Sequence, residues 1–297
     1  MKRSTKLSLA ALIAVFAGEA WLAAVRPVTS AEALAYDRFV RPPMRETLHQ
    51  PGRNPDVLYT LLEKRSVGLF RVSEFSIRLP SLLAGGLYLW AIWRLCRRSV
   101  LLVVALAAAP LAWQCFSTSS GLGLALALAA WALEAVPKNL RRAGVCLGLA
   151  VASHLPFAIP AAILAAIVVW RNFRWDQAVE SFLIPALVAS FVFLVLPLSL
   201  APDTPSTPPQ LTSAQVKGVR AAVQELRRER GTEPIRVRAS AAVAPVLSFY
   251  RSRFRLASWQ FSDASADYYV LPESGASLAG QGQLVVLHRD GGILLAR

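Results

Sequence analysis

Charge is scarce in this chain. Of its 297 residues only 17% are Asp, Glu, Lys or Arg, whereas 55% are hydrophobic, and the mean hydropathy is +0.45. A water-solvated globule needs a larger polar surface, so water is not the main solvent for this sequence. Cysteine is scarce too. Cys96, Cys115 and Cys146 lie in or beside apolar runs at unrelated spacings, which indicates neither a disulfide framework nor a metal site and leaves them as small buried hydrophobes. Acidic residues number 18 against 32 basic ones, a formal charge of +14. Much of that basic charge falls in short loops and no nucleic-acid-binding module is recognisable, so DNA and RNA are discounted as partners. No Gly-rich phosphate loop opens either helix expected near the C-terminus.

What the chain does have is long apolar runs. Crossing the hydrocarbon core takes about 20 mostly apolar residues, and runs of that order occur at 7–25, 79–95, 100–116, 121–136, 144–170 and 182–200. The first follows Lys2, Arg3 and Lys6, a pattern that also fits a secretory signal peptide, although Glu19 and Trp21 suit a cleavage region poorly. The stretch 144–170 is long for one helix and short for two, with His154, Pro156 and Pro160 at its middle. Lys and Arg collect in cytoplasmic loops. If 144–170 is a bent hairpin, the clusters Lys2/Arg3/Lys6, Arg94/Arg97/Arg98, Lys138/Arg141/Arg142 and Arg171/Arg174 all lie inside. A single long span would instead put Arg171 and Arg174 outside and the C-terminal region inside.

The hairpin reading predicts a polytopic α-helical membrane domain of about seven transmembrane helices at 1–200, with an outer loop at 26–78. The Pro- and Thr-rich segment 201–213 reads as a linker, and 214–297 as a small soluble α/β domain on the outer, periplasmic face of a bacterial inner membrane. In that domain Ser213 caps a helix to about Arg230, with Val216, Val219, Val223 and Leu226 on one face and Gly231 ending it. Strands are expected at 235–238 and 267–271, a helix at 244–254, and a hairpin about Asp290-Gly291-Gly292. In the outer loop, 57–70 has the spacing of an amphipathic helix and 30–39 of a second short one.

Residues 59–81 read YTLLEKRSVGLFRVSEFSIRLPS. Tyr59, Leu61, Leu62, Lys64, Leu69, Phe70, Ser73, Glu74, Phe75, Arg78, Leu79, Pro80 and Ser81 follow a pattern that resembles the segment after the first outer loop of GT-C glycosyltransferases, in particular the protein-mannosyltransferase and ArnT-like group. The run SEF-x-x-RLPS is its most specific part. The short basic N-terminus, the short-looped spans, His154 within a span and the C-terminal stretches SFYRSRF, ADYYVLP and VVLHRDGGILLA are similar as well. The resemblance implies transfer of a sugar from a polyprenyl-phosphate carrier to an acceptor on the outer face, with inversion. That chemistry calls for a carboxylate in the first outer loop to take the acceptor proton or hold a metal, and a cation for the departing phosphate.

Where relatives carry an Asp-Glu pair, the chain reads Thr29-Ser30-Ala31-Glu32, which leaves Glu32 as the catalytic candidate, with Asp37 or Asp56, neither at the motif, as a substitute for the missing Asp. Where they carry an Arg and a Tyr in the third span, it reads QCFSTSSGLGLAL. The candidate substrate-binding residues are His49, Asp56, Tyr59, Lys64 and His154. The alternatives are a solvated loop role for His49 and satisfaction of carbonyls freed at a bend for His154. No metal site is assigned, although a divalent cation is compatible with the chemistry. Membrane lipid and a polyprenyl-phosphate-linked sugar are the expected partners. A catalytically inactive relative that binds lipid carrier or a protein partner as a scaffold is the alternative reading.

Overall fold

The structure, a computed structural model, describes residues 3–44, 47, 54, 56–96, 99–172, 178–198, 210–262, 266–272 and 286–296. It divides into two compact units: Met1–Val25, Pro43–Phe70 and Glu74–Thr204 form the first, and Arg26–Pro42, Arg71–Ser73 and Pro205–Arg297 the second. The stretch 26–42, read from sequence as part of the membrane domain's outer loop, thus clusters with the C-terminal region.

The first unit is helical. Helices α1 (Arg3–Val25) and, after α2 of the second unit (Ser30–Ala35), α3 (Val57–Phe70) and α4 (Glu74–Leu95) are followed by α5 (Val100–Ala107), α6 (Pro110–Ser117), α7 (Gly121–Ala135), α8 (Leu140–Ser153), α9 (Ala158–Asn172) and α10 (Ile184–Leu198). Two of these, over Leu7–Val25 and Glu74–Leu95, are long and apolar enough to cross a membrane. Helices α5 and α6 make a third candidate if counted as one bent span, with a 50° bend between them. The run 100–116 is therefore broken rather than continuous. The cause is Pro110, which takes the first position of α6 and holds Ala109 at ψ 130°, because the residue before proline is disfavoured in helical geometry.

Helix α4 packs on α1, α3 and α7, and α8 packs on α7 and α10. Small residues carry much of this contact: Ala125, Ala129, Ala132, Ala143 and Ala150 are buried between helices, letting backbones approach as in helix pairs within lipid. A Cβ at Gly144 would lie 2.2 Å from the Phe182 carbonyl oxygen, and one at Gly148 2.3 Å from that of Ala186. The matched order, 144 to 182 and 148 to 186, means that the chain along 182–190 runs in the same direction as α8. Large apolar side chains, among them Leu7, Ile13, Leu83, Leu101, Ile159, Trp170 and Phe191, face outward, the surface expected of helices solvated by lipid rather than water.

Helix α8 ends at His154, which adopts φ −154° and ψ 103°, and a single 3-10 turn at Leu155–Phe157 leads into α9. Pro156 contributes to the break, since it has no N–H with which to continue the hydrogen-bond ladder of α8.

In the second unit α2 continues as a π-helical turn, Tyr36–Val40. The C-terminal part contains α11 (Ser213–Arg230), β1 (Arg236–Ala239), α12 (Ala244–Arg253), β2 (Gln260–Phe261), β3 (Tyr268–Pro272), β4 (Val286–Asp290) and β5 (Ile293–Ala296). The sheet order is β2-β1-β3-β5-β4, with β2, β1 and β3 parallel and β5 antiparallel to both β3 and β4. Thr212, one residue before the expected Ser213, caps α11 in a reciprocal capping box with Gln215. Val216, Val219, Val223 and Leu226 are all buried. Gly231 closes the helix at φ 60°, and Gly291 and Gly292, both at positive φ, turn β4 into β5. Tyr36 meets Phe249 edge to face at 5.4 Å, tying the early segment to α12.

Candidate functional site

The SEF-x-x-RLPS run forms the start of α4, and its polar side chains join α4 to its neighbours. Ser66 Oγ donates to the Ser76 carbonyl at 2.5 Å. Arg78 is completely buried and donates to the Ala23 carbonyl at 2.9 Å, satisfying an open carbonyl in the last turn of α1. The Tyr59 hydroxyl donates to the Ile77 carbonyl at 3.1 Å and accepts from Ser81 Oγ at 2.9 Å. Ser119 Oγ lies 3.2 Å from that hydroxyl and donates to Glu63 Oε2 at 3.2 Å. Tyr59 and Glu63 stand four residues apart on one face of α3, so the first turns of α3 and α4 and the segment before α7 share one buried polar network.

Beside it lies a more open pair. Asp56 immediately precedes α3, with its N–H bonded to Asn54 Oδ1 at 3.0 Å. Its Oδ1 is 2.7 Å from His154 Nδ1, and its Oδ2 accepts from the Gly121 N–H at 3.4 Å. An ionised carboxylate only accepts hydrogen bonds, so Nδ1 is the donor of this contact, and in the neutral ring Nε2 then carries the lone pair. Nε2 has no hydrogen-bond partner among the described residues. The two side chains are 23% and 25% exposed for His154 and Asp56 respectively, which leaves this pair, unlike Tyr59 or Glu63, open to a ligand. Glycine is required at 121: a Cβ there would lie 2.1 Å from the Ser153 carbonyl and 2.7 Å from Asp56 Cγ.

Three sequence candidates, Asp56, Tyr59 and His154, therefore meet at one end of the helical unit. Tyr59 supports the site rather than facing a ligand. Lys64 lies on α3 one turn after Thr60 and is half-buried. His49 falls outside the described residues. Glu63, Ser119, Ser120 and Gly121 were not singled out from the sequence, although the polar run STSSG amid apolar residues marks the break before α7.

Glu32 and Asp37 lie in the second unit. Glu32 is buried, accepts from the Thr29 N–H at 2.6 Å and completes the capping box of α2. Asp37 Oδ1 accepts from Arg41 at 2.8 Å and from Ser248 Oγ at 2.6 Å. Both carboxylates thus hold local structure. Among the described residues no group of three or more His, Cys, Asp and Glu side chains is arranged to hold a metal ion. Asp56 and His154 alone do not make such a group.

A groove of about 640 Å³ runs along α8, α9 and α10, walled by Leu147, Val151, Ala158, Ala165, Ala186 and Leu187. Its members Val151 and Ala158 flank His154 by three and four residues. The arrangement combines an acid–base pair at a helix end with an apolar trough beginning next to it.

Together these features define a mostly helical protein with two or three apolar helices suited to a membrane and a small C-terminal sheet. No protein-family model, curated protein or solved structure matches the chain.

Proposed function

We propose that this chain is a multi-pass inner-membrane protein of GT-C-like architecture that transfers a sugar from a polyprenyl-phosphate donor to an acceptor hydroxyl at the outer face. The observation that carries this reading is the 2.7 Å contact between Asp56 and His154, partly open and adjacent to an apolar groove. In this mechanism His154 Nε2 takes the proton of the acceptor hydroxyl as its oxygen attacks the anomeric carbon. The bond from that carbon to the carrier phosphate breaks with its electron pair on the phosphate. Asp56 holds the imidazole in the required tautomer and stabilises the imidazolium that forms. The polyprenyl chain occupies the groove beside α8, and Lys64 is the candidate cation for the departing phosphate. Seven crossings with a periplasmic C-terminal domain belong to the same reading. The shared direction of α8 and 182–190 supports it, because the chain must return along α9 between them.

A second reading, a non-catalytic scaffold that binds lipid carrier or a protein partner, is favoured by the engagement of Glu32 and Asp37 in a helix cap and a surface pair. The two are separated by incubating full-length protein in bilayer discs with radiolabelled polyprenyl-phosphate sugars and membrane acceptors. Transfer that is lost by about a hundredfold or more in His154→Gln supports the enzyme. Binding of polyprenyl phosphate without transfer from any donor supports the scaffold.

A further inference from the structure

Helices α4, α7 and α8 each place a residue of the polar site and a charged residue thirteen positions apart: Ser81 and Arg94, Gly121 and Glu134, His154 and Arg141. At 1.5 Å per residue this separation is roughly 20 Å, so a second polar region lies at the opposite end of the same helices. There a cavity of about 540 Å³ opens among Arg94, Trp131, Lys138, Arg141, Arg142 and Val145.

Its charge is unbalanced. Glu134 accepts from Arg94 at 2.9 Å and also from Lys138, and the Arg94 guanidinium lies 5.8 Å above the centre of the Trp131 ring. One carboxylate therefore serves two cations. Arg141 and Arg142 are exposed and have no acidic partner among the described residues. Both sit in the first turn of α8, which contains no acidic residue. Cations in the first helical turn face the positive end of the helix dipole, so an anion bound there relieves two unfavourable interactions at once. The wall is of the opposite character: Trp131, Ala135 and Val145 give it apolar and aromatic surface. A small inorganic anion would leave that surface unused, whereas an amphiphile with an anionic head uses both parts.

We infer that this cavity is a binding site for an anionic glycerophospholipid, its phosphodiester held by Arg141 and Arg142 and its glycerol and upper acyl carbons against Trp131 and Val145. The cavity lies where the basic loops converge, the cytoplasmic end by the positive-inside rule, and anionic lipid of that leaflet supplies the ligand. The site is independent of Asp56, His154 and any sugar transfer.

The test uses full-length protein in neutral detergent, titrated with phosphatidylglycerol or with phosphatidylcholine of the same acyl chains, bound lipid being counted by native mass spectrometry. Wild type should prefer phosphatidylglycerol by about tenfold or more. Two lost cations should weaken its binding in R141Q/R142Q by about thirty-fold. R141K/R142K should stay within about threefold of wild type, and phosphatidylcholine binding should not change. K217Q/R228Q, which removes the same charge from exposed positions of α11, should behave as wild type. Should R141Q/R142Q unfold, Arg142→Gln alone is read, with an expected loss of about fivefold. Unchanged phosphatidylglycerol binding in the arginine variants, or an equal loss in K217Q/R228Q, overturns the site. Displacement of the lipid by millimolar inorganic or glycerol phosphate overturns the assignment to lipid in favour of a soluble phosphate ligand.

Discussion

Replacing Asp56 with Asn keeps the shape of the side chain and removes the charge on which the proposed chemistry depends. In the wild type the carboxylate meets His154 Nδ1 at 2.7 Å and the Gly121 N–H at 3.4 Å. A hydrogen bond to a charged group contributes about 1.5–3 kcal/mol, and this one strengthens as the ring gains a proton in the transition state. Loss of 2–3 kcal/mol there lowers kcat about 30- to 150-fold. An Asn amide that donates to Nδ1 further moves the ring proton to Nε2, leaving no lone pair for the acceptor. Folding should suffer far less, because both side chains are about a quarter exposed and water can satisfy what the carboxylate leaves. The assay is steady-state transfer from radiolabelled polyprenyl-phosphate hexose in bilayer discs, measured beside the melting temperature and the donor KM. The expected pattern is a fall in kcat with KM and melting temperature nearly unchanged, and partial recovery in Asp56→Glu. A folded Asp56→Asn protein that turns over within twofold of wild type would refute the acid–base role of the pair.

Four further predictions concern the framework. Gly148→Ala puts a Cβ 2.3 Å from the Ala186 carbonyl oxygen and should cost about 1–3 kcal/mol by overpacking, read as a drop of several degrees in melting temperature. Gly68→Ala in α3, whose Cβ would meet nothing within 4 Å, should instead stabilise by about 0.5–1 kcal/mol, and a drop as large as that of Gly148→Ala would refute the packing argument. The Asp267 carboxyl is held below the usual range, first by the Arg236 backbone N–H at 2.8 Å and then by the Arg236 guanidinium. Its folded pKa lies below the unfolded value of about 3.9, so its contribution is present above that pH and lost as pH falls through the folded pKa. The melting-temperature gap between wild type and Asp267→Asn should therefore be widest near neutrality and close at strongly acid pH; a gap independent of pH removes the explanation. Topology reporters fused after residue 177 and after residue 213 should read cytoplasmic and periplasmic respectively, and the reverse at either position defeats the hairpin at His154.

Where a feature depends on neighbouring residues, it was readable in the chain itself. The helix at 57–70 follows from its own apolar spacing, α11 from four aliphatic residues on one face between a cap and Gly231, and the β4–β5 turn from Asp290-Gly291-Gly292. The limits of such reading are local as well. Thr212 caps α11 in place of Ser213 because the reciprocal bond to Gln215 selects it, and Pro110 divides a run that composition alone makes continuous. The two-residue strand β2 is too short to carry any alternation of its own and exists because β1 offers it an edge.

The candidate site divides in the same way. Asp56, Tyr59 and His154 could be singled out as residue types, from a polar loop, a motif and a histidine in an apolar run. Their meeting could not, because Asp56 and His154 are separated by 98 positions and no local pattern encodes a contact across six intervening helices. Likewise the roles of Glu32 and Asp37 rest on Thr29, Arg41 and Ser248, the last of which lies 211 residues from Asp37. By itself the sequence determined that the chain is dominated by apolar helices and which end of each carries positive charge, since run length and the distribution of Lys and Arg are properties of the chain alone. Tertiary structure alone decided which helix ends come together, because that depends on small residues such as Gly121, Gly144 and Gly148 letting distant backbones touch, and it is there that the acid–base pair and the basic cavity take shape.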